Sequence, residues 1–276
     1  MKLTTRPHLA IACAALLATL AGCSSASDVR SDSGPSTTAS STTSAASSPD
    51  ENSATTTTEG VAASPADPKT LYIQGSVSIP EGEPGQLSVV SVGKPYGDFG
   101  SSVPVIVRNN TSKAVTNVEI NGTARAADGS LAGSGSSQGF EPAVMKPGEW
   151  GFGYVYFDTT LPADATVEAT ARGDHESDME LFSDIMLVAQ EVNVVPGEFG
   201  SRSYVGIVAN PDDAEGATGS ASIEIACFDA ASNLLEVFSG YVDGEVVPGG
   251  TASFSVETYE APECAAIAVG ASGYAL

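Results

Sequence analysis

Basic residues are scarce in this chain of 276: 11 Lys and Arg stand against 34 Asp and Glu, a formal net charge of −23. Beyond Arg202 there is no Lys or Arg at all, against 11 acids. A nucleic-acid binder needs a basic stripe to meet phosphates, so that class is excluded. Histidine is limited to His8 and His175. Ser/His/Asp catalysis would have to use His175, and no Gly-x-Ser-x-Gly nucleophile elbow accompanies it. No phosphate-cradling loop of the P-loop kind is present. Among 34 acids some pair always falls at a suitable distance for glycosidase chemistry, so composition gives that reading no support. There are four cysteines, with no Cys-x-x-Cys pair and no metal-site spacing. The expectation is a protein that is not an enzyme and needs no cofactor.

Long apolar runs are also missing. The stretch from Leu9 to Ala21 follows Lys2 and Arg6 and ends in small residues, the layout of a secretory signal. It is shorter than the about 20 apolar residues that span a bilayer. Its end, Leu20-Ala21-Gly22-Cys23, resembles the bacterial lipoprotein signal family, in which a Leu, two small residues and a Cys mark the processing site. The resemblance implies a signal peptide over 1–22, acylation of Cys23 (thioether-linked diacylglycerol, palmitate among its acyl chains), and a lipid-anchored location on the extracytoplasmic face of the cell membrane. Loss of Lys2 and Arg6 leaves nine of the 11 basic side chains against 34 acids, a formal −25. Cys13 goes with the signal, so Cys227 and Cys264 remain to form a disulfide in an oxidising compartment.

From Ser24 to Pro68 the chain has no Phe, Tyr, Trp, Ile or Leu, and 21 of these 45 residues are Ser or Thr. Such a segment cannot bury enough apolar surface to offset its ordering entropy. Residues 23–68 are therefore expected to be a disordered, lipid-anchored tether, with an r.m.s. span of roughly 35–40 Å.

After Leu71 short runs rich in Val, Ile, Tyr and Phe alternate with Gly, Pro, Asn and Asp. "SVPVIVRN" places Val103, Val105 and Val107 on one face, and "FGYVYF" does the same with Phe152, Tyr154 and Tyr156. Period-2 alternation predicts half-buried strands. The best helical stretch is a turn or two around "ESDMELFSD". The two halves echo each other: "DFGSSVPVIVRNN" at 98–110 aligns with "EFGSRSYVGIVAN" at 198–210, pairing Asn110 with Asn210. Asp128 then matches Asp229, and Pro147-Gly148 matches Pro248-Gly249. Each unit is long enough for six or seven strands, which suits a two-sheet sandwich. The order of motifs, with "IACFD" at 225–229 and "ARAAD" at 124–128, resembles the small β-sandwich domain of bacterial lipoproteins known for its Phe-x-Leu-Tyr-Asp (FxLYD) strand. The resemblance implies an all-β chain of two tandem immunoglobulin-like β-sandwich domains, over 69–176 and 177–276, and carries no activity with it.

Three places could hold a ligand. Asp212, Asp213 and Glu215 crowd the loop "NPDDAEG", where carboxylates and carbonyls could take calcium, against the alternative of a solvated loop tip. His175 sits among Asp174, Glu176, Asp178 and Glu180, a charged segment between units as readily as a metal site. Trp150, just after Pro147-Gly148, is either a core plug or an exposed anchor for a partner. The functional expectation is a membrane-anchored binding or adhesion module for an extracellular protein or glycan, with an envelope spacer as the alternative.

Overall fold

The computed structural model describes residues 70–175, 184–211, 216–242 and 244–275. Cys23, the tether, residues 176–183 of the "ESDMELFSD" stretch, and the candidate ligands Asp212, Asp213 and Glu215 lie outside these residues. The described chain is all-β. Its strands, in chain order, are β1 (Tyr72–Gln74), β2 (Leu87–Val92), β3 (Ser101–Asn109), β4 (Val115–Arg125), β5 (Leu131–Glu141), β6 (Val144–Met145) and β7 (Trp150–Phe157). Then come β8 (Thr166–His175), β9 (Asp184–Pro196), β10 (Arg202–Ala209), β11 (Thr218–Phe228), β12 (Leu234–Val242), β13 (Thr251–Thr258) and β14 (Ala266–Ala275). Among the described residues no helix is long and apolar enough to cross a membrane.

The first sheet runs β2-β3-β7-β5-β4, with β8 and β6 both paired to β4. It curls until β2 lies alongside β8. Inside the curl, Val103, Val105 and Val107 from β3 meet Ile120, Ala124, Val155 and Phe157. The alternation read from "SVPVIVRN" is this inward face.

The second sheet runs β12-β11-β14-β9-β10-β13. Strand β9 changes partner along its length: Asp184 to Leu187 pair with β14, and Val188 to Pro196 pair with β10. That bend folds the sheet back until β12 lies against β13. Ile223, Ile225 and Cys227 from β11 then face Tyr204, Val208, Phe254 and Val256 across a core. The place that β9 vacates beside β14 is taken by β1, through Tyr72↔Val269, Ile73↔Ala268 and Gln74↔Ile267. The segment from 69 was expected to begin the first unit; its opening strand instead pairs with the second.

Matching turns recur. Asn109 is fully buried; its N–H donates to Glu149 O, its carbonyl accepts from Gly148 N, and its side-chain amide donates to Lys113 O and Met145 O. Asn210 makes the same set with Gly250 O, Gly249 N, Gly216 O and Val246 O. The equivalent residues are therefore Asn109 and Asn210, one step from the expected alignment of Asn110 with Asn210. Asn110 donates instead to Glu81 O and Glu83 O. Two tight turns each leave a buried amide to hold their orphaned carbonyls, and the buried one of the Asn109-Asn110 pair does this work.

Cys227 and Cys264 are bonded, with Cα atoms 5.2 Å apart. Because β11 and β14 are hydrogen-bonded neighbours, the bridge ties the chain entering β14 to the strand beside it. The Tyr204 hydroxyl donates to Cys264 Sγ at 3.2 Å.

Candidate functional site: a groove between the sheets

Strands β11 and β14 are buried on both faces, and their outer faces carry the story. On β11, Ser222, Glu224, Ala226 and Phe228 alternate away from the inner residues Ile223, Ile225 and Cys227, as the period of two requires. Ala226 and Phe228, with Ala266 and Ala268 from β14 and Leu234 and Val237 from β12, pack against Ile106, Trp150 and Phe152 of the first sheet. This third core joins the two sheets. Trp150 is 1 % exposed and meets Phe228 edge-to-face, with ring centroids 6.3 Å apart and planes at 90°. Of the two readings of Trp150, the structure takes the core plug; the side chain is not an exposed anchor. The Tyr96 hydroxyl adds a donor to Val237 O at 3.0 Å, and burial holds this phenol well above its ordinary pKa. Residues before β2 bridge the same seam: Ser78 N donates to Ser232 Oγ, and Arg108 donates to Ile79 O and Pro80 O.

At the other end of β11 the seam turns polar. Glu141, the last residue of β5, is buried, and its Oε1 accepts from Ser272 Oγ at 2.6 Å and from Ser222 Oγ at 3.2 Å. Gly270 lets it sit there, since a Cβ at that position would come within 2.5 Å of Glu141 Cβ. Glu224 is 4 % exposed, and its Oε2 has no hydrogen-bond partner among the described residues. Its Oε1 lies so close to Gly139 that any side chain there would overlap it. Burial, reinforced by the nearby charge of Glu141, pushes the Glu224 carboxyl well above the ordinary glutamate range.

Beside Glu224 the sheets part into a groove of about 620 Å³. Glu224 contributes to its wall, with Tyr154, Ser239, Tyr241 and Tyr274 beside it and Glu119 at one edge. Tyr241 is 73 % exposed, and burial raises the Tyr154 phenol above its usual value. Glu119 is ion-paired with Arg172. Among the described residues no Lys, Arg or His lines the groove. A carboxylic acid kept neutral by burial can donate a hydrogen bond or, on losing its proton, face a cation. Among the described residues no cluster of three or more His, Cys, Asp or Glu side chains could hold a metal ion.

The expected site residues do not come together here. Trp150 is at the apolar end of the seam, and His175 ends β8 at the first sheet's edge, paired in register with Val115. The groove residues Ser222, Glu224 and Ser272, and Glu141, which the two serines bond, escaped sequence reasoning. The available signal was an acid inside the apolar strand "SIEIACF", on the face opposite Ile223 and Ile225. The two Phe-Gly turns of the repeat present their phenyl rings to solvent. Phe99 and Phe199 are 96 % and 97 % exposed, and Phe199 holds a left-handed φ of 54°.

No protein-family profile matches this chain. No curated protein matches it either. Among solved structures there is a distant likeness to the exo-β-D-glucosaminidase CsxA, from work on its inhibition by a glucosamine-configured castanospermine and an amino-australine analogue. The identity is 14 % and the TM-score 0.20, over 70 % of this chain and 24 % of that one. The chain thus spans about a quarter of that enzyme's length, and a likeness at this TM-score carries no argument about fold or function.

Proposed function

We propose that this protein is a membrane-anchored, extracytoplasmic binding module without catalytic activity, built from two immunoglobulin-like β-sandwich units that arose as a repeat. The observation that carries the reading is the groove between the sheets, concave, partly aromatic and lined by the buried acid Glu224. Its size falls in the usual range for small-molecule and short-peptide sites, about 300–1,000 Å³. Strands on both sides supply its walls, so the apolar core beneath fixes its shape. The anchor is Cys23 in Leu20-Ala21-Gly22-Cys23, and an extracellular protein or glycan is the expected class of partner.

The test is a panel of peptides and glycans probed with the lipidated protein and with Ser239→Trp, which fills the groove. Ligands retained by the wild type and lost by Ser239→Trp support the reading. A panel that gives no groove-dependent ligand refutes it. Cys23→Ser is expected to lose incorporation of a fatty-acid analogue; equal labelling of variant and wild type would refute the anchor.

The envelope-spacer reading has one observation in its favour: the third core, from Ile106 and Trp150 to Phe228 and Val237, welds the sheets into a stiff body. A spacer needs that stiffness and has no use for a groove, so the Ser239→Trp variant separates the two readings.

A further inference from the structure

Building on the binding reading, we infer that the groove selects a cationic ligand: a single ammonium or guanidinium group, carried on a lysine- or arginine-containing peptide or an alkyl amine, seated between Glu224 and the tyrosines.

Five observations converge. Glu224 Oε2 is buried at the groove floor without a hydrogen-bond partner among the described residues, which costs the fold free energy unless something arrives to use it. Glu141 lies close enough to influence Glu224 electrostatically, so a second acid stands beside the first. Among the described residues no basic side chain lines the groove, so no internal cation there competes for the place. Tyr154, Tyr241 and Tyr274 line the same groove as Glu224, and an aromatic face attracts a cation by about 0.5–2 kcal/mol depending on desolvation. The chain's net charge of −23 draws cations toward the groove from a distance and repels anions.

The seating involves one proton. In the empty groove burial, with the charge of Glu141 nearby, favours the acid form of Glu224. When a cation enters, Glu224 releases that proton to solvent and becomes the counter-ion, so charge balances with no other reactant. The titratable groups facing Glu224 are Glu141 from β5, Tyr154 from β7, Tyr241 from β12 and Tyr274 from β14, with the Glu119–Arg172 pair at the edge. Burial raises the Tyr154 phenol above its usual value, and binding is expected to tighten as pH rises above the ordinary glutamate value of 4.5 and the Glu224 carboxyl gives up its proton.

The experiment is an NMR titration of the full mature chain with N-acetyl-lysine methylamide and with its neutral isostere, N-acetyl-norleucine methylamide. The lysine probe is expected to move the amides of Gly139, Ser222 and Tyr241 saturably, and the norleucine probe to leave them in place. Glu224→Gln is expected to weaken the lysine probe at least tenfold. Glutamine has the shape of the protonated acid, so the fold stands; unchanged Trp150 emission verifies this. Glu260→Gln removes an equal charge at an exposed position and is expected to change affinity less than twofold. Equal binding of both probes in the groove overturns the cation inference and leaves the binding reading standing. No shift with either probe, or equal loss in both variants, overturns the inference as well, and the Ser239→Trp panel then judges the binding reading by itself.

Discussion

Phe228→Ala tests whether the two sheets form one body. Phe228 is fully buried, and its neighbours on the same face are Ala226, Ala266 and Ala268, side chains too small to collapse into the space it would leave. A Phe→Ala change in such a place costs about 3–5 kcal/mol from lost transfer and the cavity together. The lost edge-to-face contact with Trp150 contributes about 0.5–1.5 kcal/mol to that penalty. Against a domain stability of about 5–15 kcal/mol this is a large fraction. Urea unfolding should show it as a drop in midpoint of more than about 1 M. The reporter is built in, because Trp150 is the one tryptophan of the chain and belongs to the other sheet. Its emission should be that of a buried indole in the wild type and shift to the red in Phe228→Ala. Phe199→Ala is the matched control: the same atoms are deleted from a side chain 97 % exposed, and the expected change is within about 0.5 kcal/mol. The reasoning fails if the two variants cost the same, or if Trp150 emission ignores the loss of Phe228.

Three further outcomes follow from the seam and the bridge. Glu224 has a pKa raised on folding, so its contribution to stability is fully present below the ordinary glutamate value of 4.5 and is lost as pH rises through the folded value; Glu236, pushed up to about 6 by burial, acts in the same direction. The melting temperature should therefore decline from about pH 5 toward pH 9, and Glu224→Gln should flatten that decline; a profile of unchanged slope in the variant contradicts the assignment. Replacing Cys227 and Cys264 by Ala should cost about 3–4 kcal/mol on chain-entropy grounds for a separation of 37, read by calorimetry with and without reductant; two alkylated thiols in unreduced, denatured protein would remove the basis of the prediction. A fragment starting at 177 lacks β1 and bares the β14 edge at Ile267 to Val269, so it should aggregate more readily than a fragment supplied with residues 69–80; equal solubility of the two speaks against the strand's role.

Alternation along "SVPVIVRN" and "FGYVYF" determined that these segments are strands, because a period of two is a local property of the pleated backbone. It identified Val103, Val105 and Val107 as inward, whereas in "FGYVYF" the residues inside the curl are Val155 and Phe157 and the Phe152 face meets the other sheet. The oxidised pair was legible on the expectation that Cys13 leaves with a signal peptide and Cys23 is acylated, which leaves Cys227 and Cys264 to each other, as they are bonded. What local pattern cannot express is what lies beyond an outward face. "IEIACF" reads as one apolar face and one mixed face, and only docking of the first sheet makes the mixed face a core at Phe228 and a buried acid at Glu224. Trp150 left two readings open for the same reason: burial of a side chain at a strand's mouth depends on a surface 78 residues away in sequence at Phe228. Strand β1 illustrates the point for pairing. Nothing in Tyr72–Gln74 names its partner; the vacancy beside β14 exists because β9 bends away after Leu187. The groove is likewise a product of tertiary structure, since Glu141 and Glu224 come from different sheets and meet only where those sheets dock, at a distance in sequence that no periodicity spans.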